Sequence, residues 1–282
     1  AGAKLILCGE SQQLQSIGAG GLYRTFNERF VTKAVTEINR QRESRDRDMV
    51  EDFACGRAEK AIDSLHRNGN LIIKKTNQGR LAQLVQDYAS DPSEYKDKFI
   101  VAATNMDVDS VNDAVRAELK KTGKLEGEEV RIEGKDGIFR SYCVGDRIIF
   151  TKKQTIDNAE HTNQKISNSQ TGSVIGITHF ESSGKPSALH VQLDDGSKHF
   201  LNVNKKLNFK HGYASTVHKS QGSTRESVFY WVSPTVNNLH SAYVACSRHK
   251  GKLLMYLSED MVEKMAGKME GKKPTVSMVK AA

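Results

Sequence analysis

The 282-residue sequence contains no apolar run long enough to span a bilayer. Its opening, residues 1–9, is a short apolar strand pattern without a cleavage site, so it does not read as a signal peptide. The four cysteines, Cys8, Cys55, Cys143 and Cys246, lie far apart and form no Cys-x-x-Cys pair. That spacing argues against a zinc ribbon or a disulfide framework and suits free thiols in a reducing cytoplasm. No Gly-x-x-x-x-Gly-Lys-[Ser/Thr] stretch occurs. The backbone cradle, the lysine and the Mg²⁺-binding hydroxyl of a phosphate loop are therefore missing from the chain. Internal repeats are missing too.

What is present is ordinary for a globular protein: 37% hydrophobic and 27% charged residues. A formal net charge of +8 tilts the reading towards a polyanionic partner without deciding it. Residues 4–8, 34–38, 71–75 and 99–103 read as strands, the first as the apolar run of a central parallel one. Helical periodicity at 46–54, 58–66, 80–88 and 108–120 alternates with them. This alternation predicts an α/β sheet with crossover helices. Between residues 125 and 209 the texture turns to short β-rich runs at 146–150, 172–177, 189–193 and 199–203. Asp194-Asp-Gly196 signals a hairpin between the last two. Strand, helix and strand patterns then resume at 227–232, 238–247 and 252–257. Beyond about residue 268 the chain is Lys- and Gly-rich and reads as a frayed tail. A natural domain rarely opens directly on a core strand, so the start at residue 4 is expected to mark a fragment.

Five polar stretches carry candidate chemistry. Gly212-Tyr-Ala-Ser-Thr-Val-His-Lys-Ser-Gln-Gly222 gathers hydroxyls at Ser215, Thr216 and Ser220, a cation at Lys219 and an amide at Gln221. Such a cluster can hold phosphate or sugar oxygens, or it can simply be a capped helix with a flexible exit. In Tyr243-Val-Ala-Cys-Ser-Arg-His-Lys250, Arg248 is at least a cation facing a helix C-terminus. Leu7-Cys-Gly-Glu-Ser-Gln-Gln-Leu14 follows a strand, where ligands of α/β sheets sit. Glu37-Ile-Asn-Arg-Gln-Arg-Glu43 leads into alternating charges at residues 42–48, a pattern that usually means a solvated helix face. Ala103-Thr-Asn-Met106 ends a strand, and there Thr104 and Asn105 could meet a phosphate or cap a helix.

Taken together these stretches resemble, in order, motifs of superfamily 1 helicases. Residues 7–17 resemble motif III and 37–43 motif IV. The 103–106 segment resembles the DNA-contacting stretch that follows, 216–222 motif V, and 243–250 motif VI. The resemblance spans residues 4–257 and is closest to the RecD-like branch, among it the conjugative relaxase-helicases of the TraA/TraI type. It implies a RecA-like parallel-sheet motor domain with an inserted small SH3-like β-barrel. The implied divisions are 1–30 (end of a first motor domain), 31–124 and 210–260 (second motor domain), 125–209 (barrel), and 261–282 (helix end and tail).

By the same resemblance, Gln13, Arg40 and Arg248 would sense the γ-phosphate, with Gly9, Glu10, Gln221 and Gly222 also near the nucleotide. Thr104, Asn105, Thr216, His218 and Lys219 would meet DNA. The chain departs from some relatives in having Thr224 where an acid can follow motif V. Its first acid there is Glu226, which puts a ribose contact from this loop in question. The implied function is an ATP- and Mg²⁺-dependent 5′-to-3′ translocase acting on single-stranded DNA in the cytoplasm. Its N-terminal motor domain, and a relaxase domain in the conjugative case, would lie elsewhere in the polypeptide. The chain alone is expected to bind no cofactor, to hold no metal site and to be inactive. Two alternatives stand beside this reading: a fragment of a RecD-type repair helicase, and a degenerate module that only binds nucleic acid.

Overall fold

The computed structural model describes residues 26, 29–30, 39–158, 163–235 and 238–262. The first half runs α1 (Ser44–Ala54), α2 (Ala58–Arg67), β1 (Leu71–Lys74), α3 (Asn77–Ser90), β2 (Lys98–Ala102) and α4 (Asn105–Lys121). Strands β3 (Val130–Glu133), β4 (Phe139–Tyr142), β5 (Arg147–Phe150), β6 (Gln154–Asn158) and β7 (Asn163–Ile166) follow. Next come β8 (Thr171–His179), β9 (Pro186–Leu193), β10 (Lys198–Asn202) and β11 (Phe209–His211). The chain closes with β12 (Ala214–Thr216), α5 (Val217–Ser220), β13 (Arg225–Trp231), α6 (Leu239–Cys246) and β14 (His249–Ser258).

Five strands form one parallel sheet in the order β1-β14-β13-β2-β12. Both faces are covered, which is why β2, β13 and β14 carry unbroken apolar runs rather than alternating ones. Phe99, Val101, Val228, Tyr230, Leu253 and Met255 turn to the face packed by α1, α2 and α6. Their neighbours Ile100, Ala102, Phe229, Trp231 and Tyr256 turn to the face packed by α3 and α4. The helices start where capping chemistry allows. Thr76 and Thr104 accept from the N–H of Gly79 and Asp107 at 3.0 Å each, and Asn238 accepts from Ser241 at 2.8 Å. Among the described residues no helix is long and apolar enough to cross a membrane.

The β-rich segment forms a unit of its own: a seven-stranded antiparallel sheet of order β11-β5-β8-β9-β10-β6-β7, with the β3–β4 hairpin beside it. Val130, Ile132 and Tyr142 of the hairpin join Ile148, Phe150, Val191, Leu201 and Phe209 in a third core. No pairing between β11 and β7 closes this sheet among the described residues. The Asp194-Asp-Gly196 turn joins β9 to β10 as expected, with Gly196 at φ +90°. The unit is seated on the parallel sheet through Asp146, which is fully buried. Asp146 accepts from Arg116 of α4 at 3.0 Å, from the Tyr213 hydroxyl at 2.6 Å and from the Cys143 N–H at 2.8 Å. At Gly212, between β11 and β12, a Cβ would meet the Ile148 carbonyl carbon at 2.5 Å, so the crossing from one sheet to the other requires glycine.

The strands expected at residues 4–8 and 34–38 and the tail beyond 268 lie outside the described residues. The stretch at 214–216, read from sequence as part of a polar turn, is instead the edge strand β12. Cys143 and Cys246 are buried free thiols, whereas Cys55 is exposed.

Candidate functional site

The parallel sheet sorts the candidate residues onto two opposite edges. At the edge where β13 and β14 begin, α6 ends at Cys246 and the chain turns through Ser247 and Arg248 into β14. The last carbonyls of a helix have no partner within it and carry its negative dipole end. Here Ser247, Arg248 and His249 meet them locally, and groups from a distant part of the chain meet the carbonyls of the turn that follows. Arg40 Nη1 donates to the Ser247 carbonyl at 2.5 Å across 207 residues of sequence. Gln41 Nε2 donates to the same carbonyl at 3.2 Å and to that of His249 at 3.0 Å. Arg248 folds back, with Nε on the Val244 carbonyl at 2.8 Å and Nη2 on the Ser247 hydroxyl at 2.9 Å.

Arg40 and Arg248 are thus brought side by side. Arg248 is 2% exposed. Burial, and after it the charge of Arg40, pushes its guanidinium down to about 10, so it stays charged at neutral pH. Among the described residues no carboxylate lies within ion-pair distance of either guanidinium. Nearby acids are engaged elsewhere: Glu226 pairs with Arg42 at 2.6 and 2.9 Å, and Asp46 lies 3.6 Å from His249. Two adjacent guanidiniums with no acid between them are an unfavourable arrangement on their own, and one that an anion relieves. The Arg42 bridge also bears on the missing acid at position 224. Glu226 is turned to Arg42 and lies over Gly251, where a Cβ would meet its Oε1 at 2.3 Å.

The opposite edge carries the ends of β2 and β12, where Ala102 and Thr216 are register partners. Thr104 and Asn105 follow the first of these strands, and His218 and Lys219 follow the second, so the parallel pairing brings all five residues of the sequence proposal to one edge. Within it their roles differ. Thr104 caps α4 and donates to the Asp107 carboxylate at 2.7 Å. Asp107 in turn accepts from the Trp231 indole at 3.2 Å, and Arg80 lies 3.6 Å over the Trp231 ring. Thr216 is buried and caps α5, accepting from the Lys219 N–H at 3.3 Å. Asn105 and His218 are exposed. The Lys219 ammonium is held below the usual lysine range, first by burial and then by Lys210, which is itself paired with Asp109. This edge is the C-terminal end of a parallel sheet, the side on which open α/β sheets bind ligands.

Residues 216–225 link the two edges. The chain leaves the strand ends at Thr216, makes the single turn α5 and passes Gln221 and Gly222. It enters β13 at Arg225, whose N–H donates to the Arg248 carbonyl at 3.0 Å. Gly222 stands at φ +83° with open space around it, a conformation other residues rarely adopt. Gly9, Glu10 and Gln13 lie outside the described residues. Sequence reasoning gave Gln41 and Glu226 no partner, and it missed the β3–β4 hairpin. The last was signalled by the Asp136-Gly137 turn between two short alternating runs.

Comparison with known proteins completes this geometry. The family model described as the viral superfamily 1 RNA helicase core domain matches residues 140–257, and one described as an AAA domain matches residues 1–76. The chain is 31% identical over 259 residues to the conjugal transfer protein TraA of Agrobacterium fabrum, covering 91% of this chain and 22% of that protein. The chain is a relative of the superfamily 1 helicases and of TraA. A probable TraA of Sinorhizobium fredii is 30% identical, covering 95% of this chain and 23% of its own length. The chain therefore spans under a quarter of the curated relatives it matches. The crystal structure of Bacteroides Pif1 bound to single-stranded DNA shares the fold, with TM-score 0.51 and 16% identity over 84% of this chain and 56% of that one.

Proposed function

We propose that this chain is motor sequence of an ATP-dependent, 5′-to-3′ DNA translocase of the conjugative relaxase-helicase type. In this reading residues 31–124 and 210–260 form the second RecA-like domain. Residues 1–30 end the first, 125–209 make an SH3-like barrel, and 261–282 complete the C-terminal end. The direction of travel and the relaxase context rest on the resemblance to conjugative helicases.

The observation that carries the proposal is the Arg40–Arg248 pair on the Ser247 turn, with no carboxylate within ion-pair distance among the described residues. Its residues fit a polyphosphate, because a guanidinium stays charged and binds phosphate oxygens in pairs. ATP bound there would supply the phosphoanhydride whose cleavage drives movement. Arg248 and Arg40 would hold terminal phosphate oxygens, and Gln13, Gly9 and Glu10 would complete the cleft from the first domain. The described residues offer no group of acids, histidines or cysteines fit to hold Mg²⁺, so no step is assigned to a metal here. Gln221 and Gly222 would move with the phosphate side of the cleft, while Thr216, His218 and Lys219 stay at the DNA edge with Thr104 and Asn105. One short segment would thereby couple cleft closure to the strand.

The test is DNA-stimulated ATP hydrolysis by the full-length parent polypeptide. Arg248→Ala and Arg40→Ala are each expected to slow hydrolysis by about 10³-fold or more, the worth of an arginine acting on a transferring phosphoryl group. Single-strand affinity should be retained. An unchanged hydrolysis rate in Arg248→Ala would remove the arginine's role. The present chain alone, which has no phosphate loop, is expected to release no phosphate in the same assay.

A further inference from the structure

We infer that the solvent face of the β3–β4 hairpin is a base-stacking platform, with Phe139 as the ring and Arg131 as its cationic partner, extending the single-strand path beyond the sheet edge. This rests on the nucleic-acid reading of that edge. Four other phenylalanines of the β-rich segment can be compared with Phe139. Phe150 and Phe209 are buried in the third core, Phe200 is half-buried, and Phe180 sits exposed in the loop between β8 and β9.

Phe139 differs from all of these. It is 53% exposed although it lies within a strand, and Arg131 from the paired strand stands over its ring at 4.7 Å. Alternation explains the placement: Val130, Ile132 and Tyr142 point into the core, which leaves Arg131 and Phe139 on the outer face. An exposed phenyl ring on the outside of a hairpin gains little for folding beyond one weak cross-strand contact. A ring with a guanidinium beside it is what sequence-tolerant single-strand binding uses, since every base has a face to stack.

The hairpin also stands beside the proposed strand path. The Ser141 carbonyl accepts from His211 at 3.1 Å, and the Tyr142 ring packs on His211 at 4.8 Å. The adjoining Lys210 pairs with Asp109, one helical turn into α4 from Asn105, and Arg140 lies within the field of the same Asp109. Lys219 in turn feels Lys210. Through His211 and Lys210 the hairpin thus adjoins α4, whose first residue, Asn105, lies at the strand-end edge. Among the described residues neither Arg131 nor Lys219 has a carboxylate within ion-pair distance. That charge selects a polyanion as the occupant, and the ring selects one that carries bases.

The experiment is fluorescence anisotropy of a labelled oligothymidylate titrated with this chain at low salt. Phe139→Ala is expected to weaken binding about fivefold to a hundredfold, the range for one base–aromatic stack, with the salt slope unchanged. Phe139→Tyr should restore affinity, and Phe180→Ala should leave it at the parent value. Arg131→Gln should reduce both the affinity and the salt slope, the latter by about one. An abasic strand should bind the parent chain and Phe139→Ala alike. If Phe139→Ala binds oligothymidylate as tightly as the parent, this inference falls and the reading of the edge survives. If the parent chain binds no single strand at low salt, both fall together.

Discussion

Replacing Asp146 by alanine should loosen the seat of the β-rich unit on the parallel sheet. Its carboxylate is fully buried and receives Arg116 through Nε and Nη2 at 3.0–3.1 Å, the Tyr213 hydroxyl at 2.6 Å and the Cys143 N–H at 2.8 Å. Burial pulls the Arg116 guanidinium down, but Asp146 and then Glu129 more than offset this and raise it above its ordinary value. Removing one partner from a buried pair costs ~3–5 kcal/mol, because the other charge is left in a poor solvent. Arg116 would keep its 2.8 Å contact with Glu129, and its side chain is 13% exposed, which places the loss near ~3 kcal/mol. With a urea slope of ~3 kcal/mol per molar, that loss moves the unfolding midpoint down by about 1 M. The single tryptophan, Trp231, lies in the parallel sheet and supplies the fluorescence signal. Asp146→Asn keeps one acceptor and should fall between the two. A midpoint within ~0.2 M of the parent for Asp146→Ala, at unchanged slope, would refute this account of the junction.

Two further outcomes follow from the same packing. Burial pushes the Lys98 ammonium down to about 8, although it donates to the Tyr88 and Asp91 carbonyls at 3.1 and 2.6 Å. Since the unfolded chain holds that proton more tightly, stability should rise with pH from about 8 towards ~10.4, and should be least where Lys98 is charged in both states. The buried thiols of Cys143 and Cys246 are raised by burial and oppose this trend. The readout is therefore the difference in urea midpoint between the parent and Lys98→Gln, expected to grow in the parent's favour from about pH 7 to 9; a flat difference would count against it. Gly212→Ala should cost ~2–4 kcal/mol, because its Cβ meets the Ile148 backbone at 2.5 and 2.7 Å rather than a movable side chain. Circular dichroism melting of that variant beside Gly196→Ala, whose surroundings are open, separates overlap from backbone strain.

Much of the architecture was legible in local pattern. The run at 99–103 became β2 because both faces of a central parallel strand must be apolar, and such a run is visible in one dimension; the run at 71–75 became the half-buried edge strand β1. The stripe of Val108, Val111, Val115 and Leu119 became the buried face of α4 for a similar reason. Asp194-Asp-Gly196 specified its own turn. The β3–β4 hairpin escaped because its strands are only four residues long and the Asp136-Gly137 signal is short.

The site was legible only as separate fragments. Arg248 in sequence is a helix-end cation, and Arg40 belongs to a charged run with no distinguishing feature. What joins them is the contact of residues 40–42 with the start of β14: the Gln41 amide and the Arg42 N–H donate to carbonyls at 247–250 and set Arg40 beside Ser247 across 207 residues. Likewise, Thr104 and Thr216 became neighbours because β2 and β12 pair in register, and each is also committed to capping a helix. Periodicity and capping act over one or two turns, so the sequence alone determined which segments were strands and helices. Which cation lacked a carboxylate, and which ring stood outside a core, depended on contacts between distant segments, and those were decided only when the sheets assembled.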